Sequence, residues 1–292
     1  MDEFIEVYKS YYLLAAGTFG LCIGSFLNVV IYRLPKILNR IWRAESVDFL
    51  NIPLLANETG VNKINLCWPS SHCPLCLKAI PFFYNIPLLG FLFLGGKCSA
   101  CRGKIHWRYP LVELIAGLAA FSCAYQFGFD FKALAAMNYC FILIVLLFID
   151  FDFLLLPDCL TLLLLWLGLL VNCLSFFAGI VDAVIGAVLG YLVLWSVAKI
   201  YFYFTKNEGI GRGDFKLTAA LGAWLGWQAL PLILLISAFS SLVVAGGFLL
   251  QKKMKLRTPI PFGSFLVVAG FIMLFYDKPL ESLYFYHMSY LW

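Results

Sequence analysis

Charge is scarce in this 292-residue chain: Asp, Glu, Lys and Arg make up 13% of it, about half the share in a soluble domain, while 63% is hydrophobic. With a mean hydropathy of +0.90, that scarcity excludes a water-exposed globular domain as the bulk of the molecule. Clusters of Lys and Arg interleaved with aromatics are missing too, so nucleic acid is not an expected partner and the net charge of +5 needs another explanation. No glycine-rich stretch leads into the Lys and Ser/Thr pair that grips nucleotide phosphates, and no Rossmann-type fingerprint is present. The opening MDEFIEVYKS carries three acids against one lysine, the opposite of a secretory signal, so the first apolar stretch is expected to be retained.

What fills the chain instead is a series of apolar runs, near residues 11–33, 111–128, 134–149, 159–178, 181–204, 216–230, 232–250 and 260–276. A helix needs about 20 apolar residues to cross the hydrocarbon of a bilayer. The expected fold is therefore an all-α polytopic membrane protein of about eight transmembrane helices, with the lipid bilayer as its solvent. The sixth run is the weakest, because Gly222 and Gly226 dilute it and Pro231 stands at its turn. Eight spans put Arg33 to Arg108, Lys199 to Lys216 and Lys252 to Arg257 on one side, and only Lys9, Lys132 and Lys278 on the other. Basic loops stay cytoplasmic, which assigns the net positive charge to topology and turns both termini away from the cytoplasm. Four parts follow: a tail and first helix at 1–34, a cytoplasmic loop at 35–110, a membrane core at 111–276 and a C-terminal tail at 277–292.

The loop is too small for a large apolar core and needs a staple. It carries CPLC, with Cys73 and Cys76, and CSAC, with Cys98 and Cys101. Two such turns present four sulfurs, which suits one tetrahedral zinc ion. Two disulfides are the rival arrangement, disfavoured in a reducing cytoplasm, and a thioredoxin-like redox role would need a helix directly after the motif. His72 and His106 flank the knuckles and are expected to be solvated. The other six cysteines, Cys22, Cys67, Cys123, Cys140, Cys159 and Cys173, read as small buried hydrophobes.

Acids at the ends of apolar helices are costly and point to chemistry. Asp150 closes the run FILIVLLFI, and such a carboxylate must find water, a cation or a polar cavity. Asp152 reads as a turn residue and Asp158 as the N-cap of the next helix, with Pro157 before it. In EGIGRGDFKL, Gly209, Gly211 and Gly213 surround Asp214 and allow close backbone approach. Arg212 and Lys216 read as interface anchors. Orientation puts Asp214 on the same membrane side as Asp150. Two carboxylates at close range share one proton and so supply a base and an acid around a water, the chemistry of aspartic proteases.

Several ordered stretches resemble the bifunctional type IV prepilin peptidases, leader peptidases that are also N-methyltransferases, of the GxGD class of intramembrane aspartic proteases. They are GSFLNVVIYRLP (24–35), SHCPLC, NIPLLGFLFLGGKCSAC and RYPLVELIAG (within 71–117), IDFDFLLLPDCLTL, EGIGRGDFKL and TPIPFG (258–263). The resemblance implies catalytic roles for Asp150 and Asp214, with Asp152, Asp158, Glu208, Gly211, Gly213 and Lys216 in support. It implies a bacterial inner-membrane enzyme whose cysteine loop and active site are cytoplasmic. Its substrates would be prepilins and type II secretion pseudopilins, cut after a short basic leader at a glycine before the apolar helix. It further implies N-methylation of the new terminus with S-adenosylmethionine, for which Gly24, Ser25, Asn28, Arg33 and Glu113 are candidate contributors. Helix contacts for Gly24 and Ser25, and a helix-dipole interaction for Glu113, are the plainer roles.

Two departures stand out: the family often has serine or a larger residue where Gly90 stands, and proline where Ser264 stands. Residues 41–63 match nothing in the family. Family members without the cysteine loop are peptidases only, and this chain has the loop. A peptidase without methylation and a transporter with intramembrane acids are the alternatives. A transporter calls for internal repeats and acids at mid-membrane, neither of which is visible. A zinc scaffold without catalysis would have no use for glycines around Asp214.

Overall fold

The computed structural model describes residues 2–50, 65–207, 209–251 and 260–289, and every regular element among them is a helix. The chain falls into two compact units, Met1–Phe129 and Asp130–Trp292.

The first unit contains α1 (Asp2–Leu50), a 3-10 turn at Phe82–Asn85, α2 (Leu89–Phe93) and α3 (Arg108–Phe127). Helix α1 continues through Pro35 for 49 residues, so residues 41–50, unassigned from sequence, are helical, while 51–64 lie outside the described residues. Small residues let α3 lie along α1. A side chain on Gly20 would strike Ala116 and Ala120, one on Gly24 would strike the backbone of Glu113, and one on Gly117 would strike Leu21. This packing places α3 with α1, and the boundary between units falls after Phe129 rather than near residue 110.

The second unit contains α4 (Phe131–Phe153), α5 (Asp158–Asn172), α6 (Ile180–Thr205), α7 (Arg212–Leu225), α8 (Leu230–Leu250) and α9 (Phe262–Ser289). Local signals set their ends. The Asp130 side chain caps α4 by accepting from the Phe131 amide, and Leu154 closes the same helix in the left-handed region. Gly211 stands at the N-cap of α7 and Gly226, at φ +83°, at its C-cap.

Helix α7 is the centre of this unit, buried from Leu217 through Leu225. Helices α4, α5, α6, α8 and α9 all pack onto it or onto one another. Its glycine and alanine content, which weakened it as an apolar run, is what lets its neighbours close in. A side chain on Gly222 would enter the backbone of Gly186 on α6, and one on Gly190 would enter that of Thr218. On the α5 side, Gly168 lies under the Trp224 ring and the indole N–H donates to the Leu164 carbonyl at 2.7 Å. Asn172, fully buried, donates to the carbonyls of Ala223 and Trp224 and accepts from the amides of Phe177 and Ala178. One side chain thus closes α7 and shapes the turn after α5.

Eight helices stand where eight spans were expected, and five of them, α1, α3, α4, α6 and α8, are long and apolar enough to cross a membrane. Helix α5, with 15 residues, rises only about 23 Å against a hydrocarbon thickness of about 30 Å. The apolar part of α9 ends at Tyr276, where the backbone leaves the helical region. Large apolar side chains such as Val181, Val188 and Ile200 lie exposed along α6, as an apolar solvent permits. The same reason corrects the reading of the scattered cysteines. Cys123 and Cys140 are buried, but Cys22, Cys67, Cys159 and Cys173 are exposed: Cys22 lies on the apolar face of α1, where a thiol beside lipid needs no protein core, and Cys67 lies in the loop after that helix.

Replacing Gly222 by Val should break the α6–α7 contact. We expect a loss of about 1–3 kcal/mol, as for overpacked cores, read as a lower thermal midpoint in detergent. Gly246→Val, at a position with open space around it, should leave the midpoint unchanged.

Candidate active site

In the second unit, Asp150 sits on the last turns of α4 and is 4% exposed. Its Oδ2 accepts two hydrogen bonds from the start of α9, from the Ser264 amide at 2.6 Å and the Ser264 hydroxyl at 2.9 Å. Gly263 makes that approach feasible, since a Cβ there would lie 3.0 Å from the same oxygen.

Asp214 is 7% exposed in the first turn of α7. The helix begins at Arg212, so this acid is helical and not a loop residue ahead of a span at 216. Its carboxylate is bonded by the Gly211 amide, the back-reaching half of a capping box. The Thr218 hydroxyl bonds its carbonyl at 2.8 Å. The Asp150 carboxylate lies within electrostatic reach of Asp214. Leu156 fills the space beside both, in contact range of Gly213 on one side and Gly263 on the other. Leu156 thus stands between Gly213, next to Asp214 in the chain, and Gly263, which lies against the Asp150 carboxylate.

The supporting acids separate. Asp158 is the first residue of α5, with Pro157 as the N-cap, so it is not the cap residue expected. Proline at the cap leaves the Asp158 side chain free to turn outward, where it pairs with Lys216 at 2.6 Å. That pair ties α5 to α7 in an exposed position, where ion pairs contribute little. Asp152 lies on an exposed part of α4, which runs to Phe153 and absorbs the expected turn. Glu208 lies outside the described residues. Sequence reasoning missed Ser264 as a partner of Asp150 and Asn172 as the closure of α7, and no local pattern marks either.

In the first unit, the ligand atoms of Cys73, Cys76, Cys98 and Cys101 all lie within 4.8 Å of one another. Each knuckle is a small hairpin, closed by bridges between His72 and Ala79 and between Lys97 and Lys104. A tetrahedral ion with sulfur ligands at about 2.3 Å separates those sulfurs by roughly 3.8 Å, and the Cys73 and Cys101 sulfurs stand 3.8 Å apart. The donor set fits a thiolate-binding metal. The Cys101 and Ala100 amides, aimed at the Cys98 sulfur, lower that thiol to about 6. Cys101 receives the Gly103 amide, but desolvation and the thiols of Cys76, Cys98 and Cys73 outweigh it and raise Cys101 to about 11. Four crowded thiols cannot all ionise without a cation. The histidines stay apart: His72 Nδ1 pairs with the Ser70 carbonyl and His106 stacks on Trp107.

Four of the five residues weighed for S-adenosylmethionine converge where α1 meets α3. Gly24 packs on Glu113, Ser25 hydrogen-bonds Glu113, and the Asn28 amide donates to the carbonyls of Gly24 and Tyr109. Glu113 also accepts from the Leu88 amide at 2.8 Å. Arg33, 7% exposed, donates to the carbonyls of Asn65, Leu66 and Pro69. These polar atoms take part in helix and loop contacts.

Comparison with known proteins follows the same division. Residues 18–127 match the family model of the bacterial peptidase A24 N-terminal domain, and residues 137–246 match that of the type IV leader peptidase family. A protein of Stutzerimonas stutzeri is 45% identical over 97% of this chain and 96% of its own length. One from Aeromonas hydrophila is 47% identical over 91% of both, and one from Pseudomonas aeruginosa is 43% identical over 97% and 96%. All three are named prepilin leader peptidase/N-methyltransferase. No solved structure matches the chain.

Protein purified without chelators should carry about one thiolate-bound divalent ion per chain, and cobalt substitution should give the charge-transfer bands of a tetrahedral sulfur site. Cys73→Ser should lose both. Folded, metal-free protein with four free thiols would remove the metal from the account.

Proposed function

The chain belongs to the type IV leader peptidase family, and from that premise we propose that Asp150 and Asp214 cleave the basic leader from prepilins. The enzyme is a prepilin leader peptidase and N-methyltransferase: it cuts before the apolar pilin helix, then methylates the amine that cleavage exposes. The observation that carries the peptidase reading is the placement of two buried carboxylates, on α4 and α7, within electrostatic reach of each other and flanked by glycines.

Two such groups cannot both ionise comfortably, so they hold one proton between them. The ionised carboxylate takes a proton from a water as that water attacks the scissile carbonyl. The protonated one hydrogen-bonds the carbonyl oxygen, and the amine leaves with the proton that the base collected. Gly211, Gly213 and Gly263 keep the surrounding backbone close and narrow, which favours an extended peptide over a bulky substrate.

The knuckles hold one structural zinc ion, the tetrahedral thiolate site being the chemistry that zinc prefers. S-adenosylmethionine supplies the methyl group. Gly24, Ser25, Asn28, Arg33 and Glu113, which the family resemblance brings forward for that cofactor, hold protein partners of their own here. The expected setting is the bacterial inner membrane, with the acids and the cysteine loop on the cytoplasmic side, as the distribution of Lys and Arg supports. Prepilins and the related pseudopilins fit as substrates. A basic leader at the inner surface and an apolar helix in the bilayer would bring the scissile bond to that level.

Asp150→Asn and Asp214→Asn should each fold and each lose cleavage of a prepilin peptide by at least about 100-fold, with leader release scored by mass. Full cleavage by either variant would remove that acid from the mechanism.

A further inference from the structure

We infer that Ser264 is a positioning residue of the peptidase, holding Asp150 in the orientation and ionised form of the water-activating base, so that Asp214 keeps the shared proton. This deepens the reading of the two acids as a catalytic pair and rests on it.

In the helix Phe262–Ser289, Ser264 is third, and the first four amides of a helix have no partner within it. The Ser264 amide spends its proton on Asp150 Oδ2 at 2.6 Å. An amide only donates, so the oxygen it meets is an acceptor, and donors converging on one carboxyl favour its ionised form. The hydroxyl reaches the same oxygen at 2.9 Å and the Leu147 carbonyl at 3.3 Å. With one proton to give, it takes the shorter and charged acceptor. Both bonds end on Oδ2, which leaves Oδ1 for the water.

Asp214 is served differently, by the single amide of Gly211. Two donors against one, with the positive end of α9 behind them, place the negative charge on Asp150. The other charged groups of the packed elements do not undo this. Asp214 of α7 is the titratable neighbour, Arg212 of α7 and Asp152 of α4 are exposed, Asp158 of α5 is neutralised by Lys216 of α7, and α9 has no charged residue from Phe262 to Tyr276.

The test is the pH dependence of kcat for a prepilin peptide in Ser264→Thr, Ser264→Ala and Ser264→Pro. Threonine keeps both donors, alanine keeps the amide, and proline removes both while remaining compatible with a first helical turn. A hydrogen bond to a charged group corresponds to about one pH unit. Loss of donors makes Asp150 easier to protonate, so the acid limb should move to higher pH. We expect no shift for threonine, about one unit for alanine and about two for proline, with KM changed less than kcat. An acid limb unmoved in both alanine and proline variants would overturn the inference. If the proline variant unfolds, alanine against threonine decides it. Asp150→Asn and Asp214→Asn run alongside separate the two failures: active Asn variants refute the catalytic pair itself, while inactive ones with unmoved Ser264 profiles refute only the role of Ser264.

Discussion

Each buried carboxylate among the described residues of the second unit meets an amide at the start of a helix, and the placement of the other helices depends on that interaction. An isolated carboxylate withdrawn from water costs several kcal/mol. Asp150 recovers part of this from Ser264 at the start of α9, and Asp214 from Gly211 at the start of its own helix. An amide at a helix start is unmatched in any case, so it can serve an acid without breaking a backbone bond. The requirement is geometric: the end of α4 and the beginnings of α7 and α9 must lie at one level. Leu156, wedged against Gly213 and Gly263, holds that level from the connection between α4 and α5.

Such convergence asks α7 to be enclosed, and enclosure explains its composition. A helix surrounded by neighbours gains little from large side chains and much from close backbone approach. Gly222 meets Gly186, Thr218 meets Gly190, and Trp224 fills the wider gap toward α5. The low hydropathy that makes α7 look marginal as a span is the mark of a helix that meets protein where its neighbours meet lipid.

The fold was legible in the sequence where solvent imposes a pattern. Eight apolar runs became eight helices because backbone groups in hydrocarbon must be paired within the segment. The four cysteines were legible because a knuckle is local, its two thiols fixed by a turn of four residues. Asp150 and Asp214 stood out because an acid beside an apolar run has few harmless explanations. Ser264 did not, because its meaning depends on an aspartate 114 residues away, and a serine near a helix start is ordinary. Asp158 misled for a related reason: its sequence neighbourhood describes a cap, but Lys216, distant in the chain, draws its side chain outward.

The first unit turns on charge as well. Four thiolates around one divalent ion carry a net charge of about −2, which a small loop must balance. Lys78 follows the first knuckle, while Lys97, Arg102 and Lys104 surround the second. Arg33 adds a cation at the entry to the loop, and it does so with its charge intact, because its partners are the neutral carbonyls of Asn65, Leu66 and Pro69. A carboxylate partner would have satisfied the same N–H groups while cancelling the charge. The basic residues of this segment would therefore oppose the charge of a metal held by the four cysteines. Arg33, rooted in α1, holds the Pro69 carbonyl, four residues before Cys73.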